Sequence, residues 1–170
     1  MSRQARDIFR VLIADDSADD RFLLRTAMRR ANRLQIVAET ADGDETIAWL
    51  RRTGARRGHD DAAFPDLLLL DLKMPVRDGF AVLKWLREQQ LSRLTVVVLT
   101  ESMEPDGIRR ALELGADLFQ VKPRLHNERV AMVLALEQYL VTAALVTSPR
   151  NGGESAISRP YLPCPAVSIP

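Results

Sequence analysis

The sequence predicts an α/β fold: a five-stranded parallel sheet, doubly wound with helices on both faces. Short apolar runs alternate five times with stretches of helical spacing, which favours a parallel sheet with right-handed crossovers. One run, Leu67-Leu68-Leu69-Leu70, is uniformly apolar, as a strand buried on both faces must be. Four of the five runs end in a residue with chemical potential, at the strand ends where open α/β sheets gather ligands.

The elements follow in order. Val11-Leu12-Ile13-Ala14 reads as the first strand and runs into Asp15-Asp16-Ser17-Ala18-Asp19-Asp20. Ser17 is suited to cap a helix whose first turn Asp19 and Asp20 favour through the dipole. Leu24, Ala27, Met28 and Ala31 mark its buried stripe, with Arg25, Arg29 and Arg30 outward. Leu34 to Glu39 is the second strand; a helix from about Glu45 to Arg52 follows, with Ile47 and Leu50 inward. Gly54 to Pro65 is a long polar connection, expected to be a surface excursion. The third strand closes on Asp71. Gly79 opens a helix with Val82, Leu83 and Leu86 on one stripe. Leu94 to Leu99 is a β-branched central strand ending at Thr100. Pro105 suits the first turn of the next helix, whose Ile108, Ala111 and Leu112 are expected to face inward and which Gly115 ends. Ala116 to Val121 is the fifth strand, followed by Lys122-Pro123 and a last helix from about Asn127 to Ala143. From Thr147 onward, prolines, glycines and serines predict an irregular tail.

Composition bounds the function. The 170 residues suffice for one domain with a substantial core. A net charge of +1 makes no bulk case for nucleic acid or an acidic membrane. The arginine clusters Arg29-Arg30-Arg33 and Arg51-Arg52…Arg56-Arg57 lack interleaved aromatic residues and read as solvated faces. No apolar run is long enough to span a bilayer, and the N-terminus lacks a signal-peptide pattern. The single cysteine, Cys164, fits a reducing cytoplasm. His59 and His126 have no partners at metal-ligand spacing and are expected at the surface.

The strand ends can converge on one rim. Asp15, Asp16 and Asp71 together would repel one another in a partly buried site, and a divalent cation with oxygen ligands, Mg²⁺ above all, would resolve that. Lys122 offers a cation for phosphoryl oxygens and Thr100 a hydroxyl. In isolation, Asp15-Asp16 reads sooner as a solvated helix cap than as a site, and a strand aromatic such as Phe119 is usually plain core.

These residues in this order resemble the receiver domain of two-component response regulators. The resemblance rests on Asp15-Asp16, on Asp71 in Leu-Asp-Leu-Lys-Met-Pro with Gly79 beyond, on Thr100, and on Gly115-Ala116…Phe119…Lys122-Pro123. It covers residues 8–145 and leaves 146–170 as a proline-rich tail with no attached effector. It implies the receiver fold with strand order 2-1-3-4-5, and a function without enzymatic turnover beyond self-phosphorylation and autodephosphorylation. Asp71 is then the phosphoacceptor, charged by a histidine kinase or phosphotransfer protein. Asp16 is a direct Mg²⁺ ligand, Asp15 acts largely through water, and the main-chain carbonyl of Lys73 is a third ligand. Lys122 and Thr100 hold phosphoryl oxygens, Phe119 is the switch aromatic that follows Thr100, and Lys122-Pro123 is a cis bond. The long connection and the apolar last helix resemble stand-alone receivers paired with phytochrome-type kinases.

Glu101 departs from the family pattern, which has a small residue after the switch threonine, and it places a further negative charge at the entrance. Lys73 and Ser102 occupy positions that tune aspartyl-phosphate lifetime in the family. The last helix carries two apolar stripes, Val130/Val133/Leu134/Val141 and Met132/Leu136/Tyr139/Leu140/Ala143. One should dock on the sheet. The other is expected to meet a second copy of the chain or the returning tail near Tyr161 and Leu162. Three other readings stay open. A flavodoxin-like cofactor protein is disfavoured by the acidic first loop, and an aspartate-nucleophile phosphohydrolase by Lys73 where a second Asp is usual. The third is a receiver-shaped module that works without phosphorylation.

Overall fold

The computed structural model describes residues 8–54, 64–90, 93–101 and 104–146. The chain runs β1 (Phe9–Ala14), α1 (Ala18–Met28), β2 (Leu34–Thr40), α2 (Gly43–Gly54), β3 (Leu67–Asp71), α3 (Gly79–Glu88), β4 (Thr95–Thr100), α4 (Pro105–Glu113), β5 (Leu118–Val121) and α5 (His126–Val146). The strands form one parallel sheet in the order β2-β1-β3-β4-β5, as expected. The expected connection residues 55–63, with His59, and Ser102, Cys164 and the tail from Thr147 lie outside the described residues.

Alternation along the strands builds two cores. Leu12, Leu68, Leu70, Val96 and Val98 point toward α2, α3 and α4, where they meet Ile47, Leu50, Val82, Leu83 and Ala111. Val11, Ile13, Leu67, Leu69, Val97 and Leu99 point the other way, onto Leu24, Ala27 and Met28 of α1 and Met132, Val133, Leu136 and Leu140 of α5. All four leucines of β3 are fully buried, each contributing roughly 2–3 kcal/mol of apolar burial. The sheet is therefore anchored most firmly at the strand that carries Asp71.

Local signals set the helix ends. The Ser17 hydroxyl accepts from the Asp20 amide at 3.1 Å and caps α1. Asp78 caps α3 by accepting from the Ala81 amide at 2.8 Å. Gly115 has φ +103, the left-handed geometry that closes α4.

Three expectations need correction. In α4, Ala111 is buried but Ile108 only partly so, and Leu112 is 39% exposed. Leu112 lies a further 100° around the helix, and Leu114 takes its place against the core. In α5 the docking face is Met132, Val133, Leu136 and Leu140; Val133 belongs with the second stripe, and Leu134 points to solvent at 41% exposure. The helical period groups i, i+1, i+4 and i+8 on one face. The Lys122–Pro123 bond is trans, not cis: there is no cis peptide among the described residues. Proline lowers the cis penalty without removing the preference for trans.

The loop after β3 is tightly drawn. The Gly79 amide donates to the Leu72 carbonyl at 3.1 Å, and a Cβ at Gly79 would collide with the Asp71 carbonyl. Val76 sits at φ +63 in the centre of a three-residue turn, closed by Arg77 N–H donating to the Pro75 carbonyl at 2.6 Å. This is the rarer, strained γ-turn, and a β-branched residue makes it worse. Val76 is 81% exposed, so its side chain contributes little burial in return. Val76→Gly is therefore expected to stabilise the fold by about 1 kcal/mol. Urea denaturation should show a higher midpoint at unchanged slope; an unmoved or lower midpoint would mean the turn stores no strain.

Candidate functional site

Strand parity decides which side chains meet. Asp15 continues the alternation of Val11 and Ile13, Asp71 that of Leu67 and Leu69, and Lys122 that of Leu118. All three belong to the α1/α5 side. Thr100 continues Val96 and Val98, and Phe119 pairs with Val98 in the register and packs against the α2/α3/α4 core. The expected switch pair thus shares the opposite side of the sheet from the carboxylates.

The carboxylates converge at the ends of β1 and β3. Ligand oxygens of Asp15, Asp16 and Asp71 lie within 4.8 Å of one another. Asp15 and Asp71 are buried and Asp16 is exposed. Asp71 Oδ1 accepts from the Lys73 amide at 2.9 Å, which fixes the start of the β3–α3 loop against the carboxylate. Asp15 Oδ1 accepts from the Ser17 amide at 3.0 Å. The Lys73 side chain and Glu101 are exposed, and Thr100 is buried one residue beyond Leu99, the register partner of Asp71. The Thr100 carbonyl accepts from the Lys122 amide at 2.8 Å, locking the ends of β4 and β5 together.

Lys122 organises the charges. Its Nζ lies 2.6 Å from Asp71 Oδ2, 3.0 Å from Asp20 Oδ2 and 2.9 Å from Asp15 Oδ2. The first two are hydrogen bonds; the third is a close ion pair without hydrogen-bond alignment, so Asp15 Oδ2 is buried with no hydrogen-bond donor. A buried carboxylate oxygen with unused capacity, beside two further carboxylates, is the donor set of a hard divalent cation. The residues present fit such an ion.

Two members of the cluster escaped the sequence reading. Asp20 was assigned only to helix-dipole stabilisation, yet it also reaches Lys122. Arg129, 5% exposed on the first turns of α5, donates from NH2 to the Pro123 carbonyl at 2.8 Å and stands 3.6 Å from Asp20 Oδ1. The signal available was the polar interruption at Arg129 in the face later taken by Met132, Val133 and Leu136. His126, by contrast, is exposed as expected.

Burial pushes the Asp15 carboxyl above its ordinary value, against the lowering pull of Lys122. Burial alone would lower the Lys122 pKa, but its hydrogen bond to Asp71 and the close negative charges of Asp71 and Asp15 outweigh that and raise it. A carboxyl raised in the folded state stabilises the fold only while protonated. Its contribution is complete below the ordinary value of 3.8 and lost as pH rises through the raised pKa. In metal-free buffer, Asp15→Asn should therefore raise the urea midpoint at pH 7, with the gain shrinking toward pH 3.8. A variant less stable than wild type at pH 7 would show that the pairing with Lys122 outweighs the burial of Asp15.

Known proteins place this arrangement. The family model of the response regulator receiver domain matches residues 11–134. A protein-glutamate methylesterase/protein-glutamine glutaminase of Anaeromyxobacter dehalogenans is 33% identical over 94% of this chain and 41% of its own length. The chain spans a third or less of two further methylesterases that it matches. The phosphorylated cyanobacterial phytochrome response regulator RcpA superposes with TM-score 0.68 and 27% identity, covering 80% of this chain and 96% of RcpA. The Mn²⁺-bound form of response regulator Rcp1, a Synechocystis protein, gives TM-score 0.66 and 28% identity over 83% and 99% of the two chains. The family match over most of the chain agrees with the sheet order and the acidic rim, and the chain belongs to the response regulator receiver domain family.

Proposed function

We propose that this receiver accepts a phosphoryl group on Asp71 and signals through protein contacts. The observation that carries this is the Asp71 carboxylate itself: it ends the most buried strand, lies 2.6 Å from Lys122 Nζ, and stands beside Asp15 and Asp16. A carboxylate oxygen of Asp71 attacks phosphorus, a P–O bond forms, and the P–N bond of a kinase's or phosphotransfer protein's phosphohistidine breaks. The electron pair returns to the imidazole nitrogen, which leaves as neutral imidazole once protonated. Lys122 follows the new phosphoryl oxygens, and the Thr100 hydroxyl moves to meet them. Phe119 then repacks on the shared α2/α3/α4 side, where half-burial leaves it two environments.

Mg²⁺ suits the acidic rim: Asp16, Asp71 and the Lys73 carbonyl would hold it, with Asp15 acting largely through water. When bound it neutralises carboxylate and phosphoryl charge. The Mn²⁺-bound relative and the buried, donor-less Asp15 Oδ2 support this assignment.

For partners, the likeness to RcpA favours a phytochrome-type histidine kinase. Leu134, exposed on α5 beside the half-buried Val130 and Val141, supports a homodimer through the last helix. We read residues 8–145 as the receiver unit and 146–170 as the tail, although α5 itself reaches Val146. The methylesterase activity named for the longer relatives is not assigned to this chain.

Incubation with acetyl phosphate and Mg²⁺, followed by intact-protein mass, should give one phosphate adduct. The adduct should be absent in Asp71→Asn and without Mg²⁺. A folded wild type that takes no phosphate from acetyl phosphate or from phosphorylated kinases would favour a phosphorylation-independent module instead. Lys73, exposed at the rim with Glu101, should alter adduct lifetime: Lys73→Asn is expected to change the decay rate about threefold or more, the order of one exposed charge contact. Equal decay curves would remove Lys73 from that role.

A further inference from the structure

Two charged side chains beside the site take no part in the phosphoryl chemistry above. Asp20, in the first turn of α1, lies between two cations: Lys122 Nζ at 3.0 Å from Oδ2 and Arg129 NH2 at 3.6 Å from Oδ1. Arg129 is 5% exposed, more buried than Lys122, and is held from behind by the Pro123 carbonyl at 2.8 Å. It projects from the α5 face that otherwise presents Met132, Val133 and Leu136 to the sheet. An apolar residue would fit that face without desolvating a charge. A guanidinium there is costly to desolvate unless its pairs offset the loss of water. Its acceptors come from two elements flanking Lys122, namely α1 and the loop that follows the lysine.

The local packing is also incomplete. A cavity of about 10 Å³, the room of one water, is bounded on its polar side by Asp15, Asp20, Lys122 and Arg129. Three carboxylate oxygens, from Asp15, Asp20 and Asp71, lie within 3.0 Å of Lys122 Nζ. To follow a phosphoryl group arriving on Asp71 it must loosen its hold on at least one of the other two.

We propose that Asp20 and Arg129 are positioning residues for Lys122. Asp20 holds the ammonium toward α1, and Arg129 weakens that hold by sharing the Asp20 carboxylate. When the phosphoryl group forms, Lys122 leaves Asp20, and Arg129 takes over the carboxylate. The handover links the chemistry on Asp71 to the first turns of α5 and to α1, on the side of the sheet away from Thr100 and Phe119. This inference rests on the phosphoacceptor reading.

The two residues should act in opposite directions. In the acetyl phosphate reaction at saturating Mg²⁺, Asp20→Asn is expected to form adduct about fivefold faster and Arg129→Met about fivefold slower, the order for altering one partly buried charge pair. The double variant should match Asp20→Asn, because Arg129 acts only through Asp20. Arg129→Lys should recover most of the wild-type rate. Rates equal to wild type, or both single variants slower, would overturn the proposal, since a merely structural role slows both. Should Arg129→Met fail to fold, Arg129→Gln, which keeps a donor for the Pro123 carbonyl and removes the charge, carries the same expectation of slower adduct formation. The ¹⁵Nζ resonance of Lys122 in the unphosphorylated protein separates the two readings. Shifts of opposite sign in Asp20→Asn and Arg129→Met support the positioning role even if wild type takes no phosphate. Shifts absent or of one sign overturn it even if wild type is phosphorylated.

Discussion

One ammonium group, on Lys122, sets the charge balance of the whole rim. Three carboxylate oxygens lie within 3.0 Å of it, from the ends of β1 and β3 and from the first turn of α1. Without a central cation these charges would repel across a partly buried surface, and the strand ends could not close up. The lysine is delivered there by the short β5, whose tie to Thr100 through the Lys122 amide fixes its height on the sheet. Raised proton affinity keeps it charged, and burial keeps Asp15 poorly satisfied. A site with an under-satisfied carboxylate and a lysine shared by three acids is one whose charge balance a cation or, on the function proposed above, a phosphoryl group would change.

The sheet divides the consequences of that change. Parity sends Asp15, Asp71 and Lys122 to the α1/α5 side and Thr100 and Phe119 to the α2/α3/α4 side. The two sides meet at the strand ends, where the backbones of β4 and β5 are joined. The rigid, leucine-filled β3 supplies a fixed reference, and the strained turn at Val76 and the glycine contact under Asp71 hold its loop close.

Much of this was legible because it is local. The Leu67–Leu70 run, the Ser17 cap, Pro105 at the head of α4 and Gly115 at its end each carry their meaning in a few neighbouring residues. Asp71 stood out because a carboxylate ending a wholly apolar strand serves no core and no cap. Asp20 did not stand out, because an acidic residue in a first turn has a sufficient local explanation. Arg129 was hidden by the same logic: nothing within α5 indicates that its guanidinium finds Asp20, 109 positions earlier in the chain. The two stripes of α5 were separated incorrectly because the helix is apolar nearly all round, so its own sequence cannot state which face docks.

The alternation of strands and helices, the parallel sheet and the acidic residues of the rim are legible in the chain order alone. These follow from periodicity and from what each strand ends in, both properties of short segments. That Lys122 is shared by three carboxylates, that Asp20 and Arg129 join them, and that Thr100 and Phe119 lie on the opposite side of the sheet emerges only once the chain is folded. Those facts depend on distances between segments up to about a hundred residues apart, and charge pairing acts through space with no imprint on local pattern.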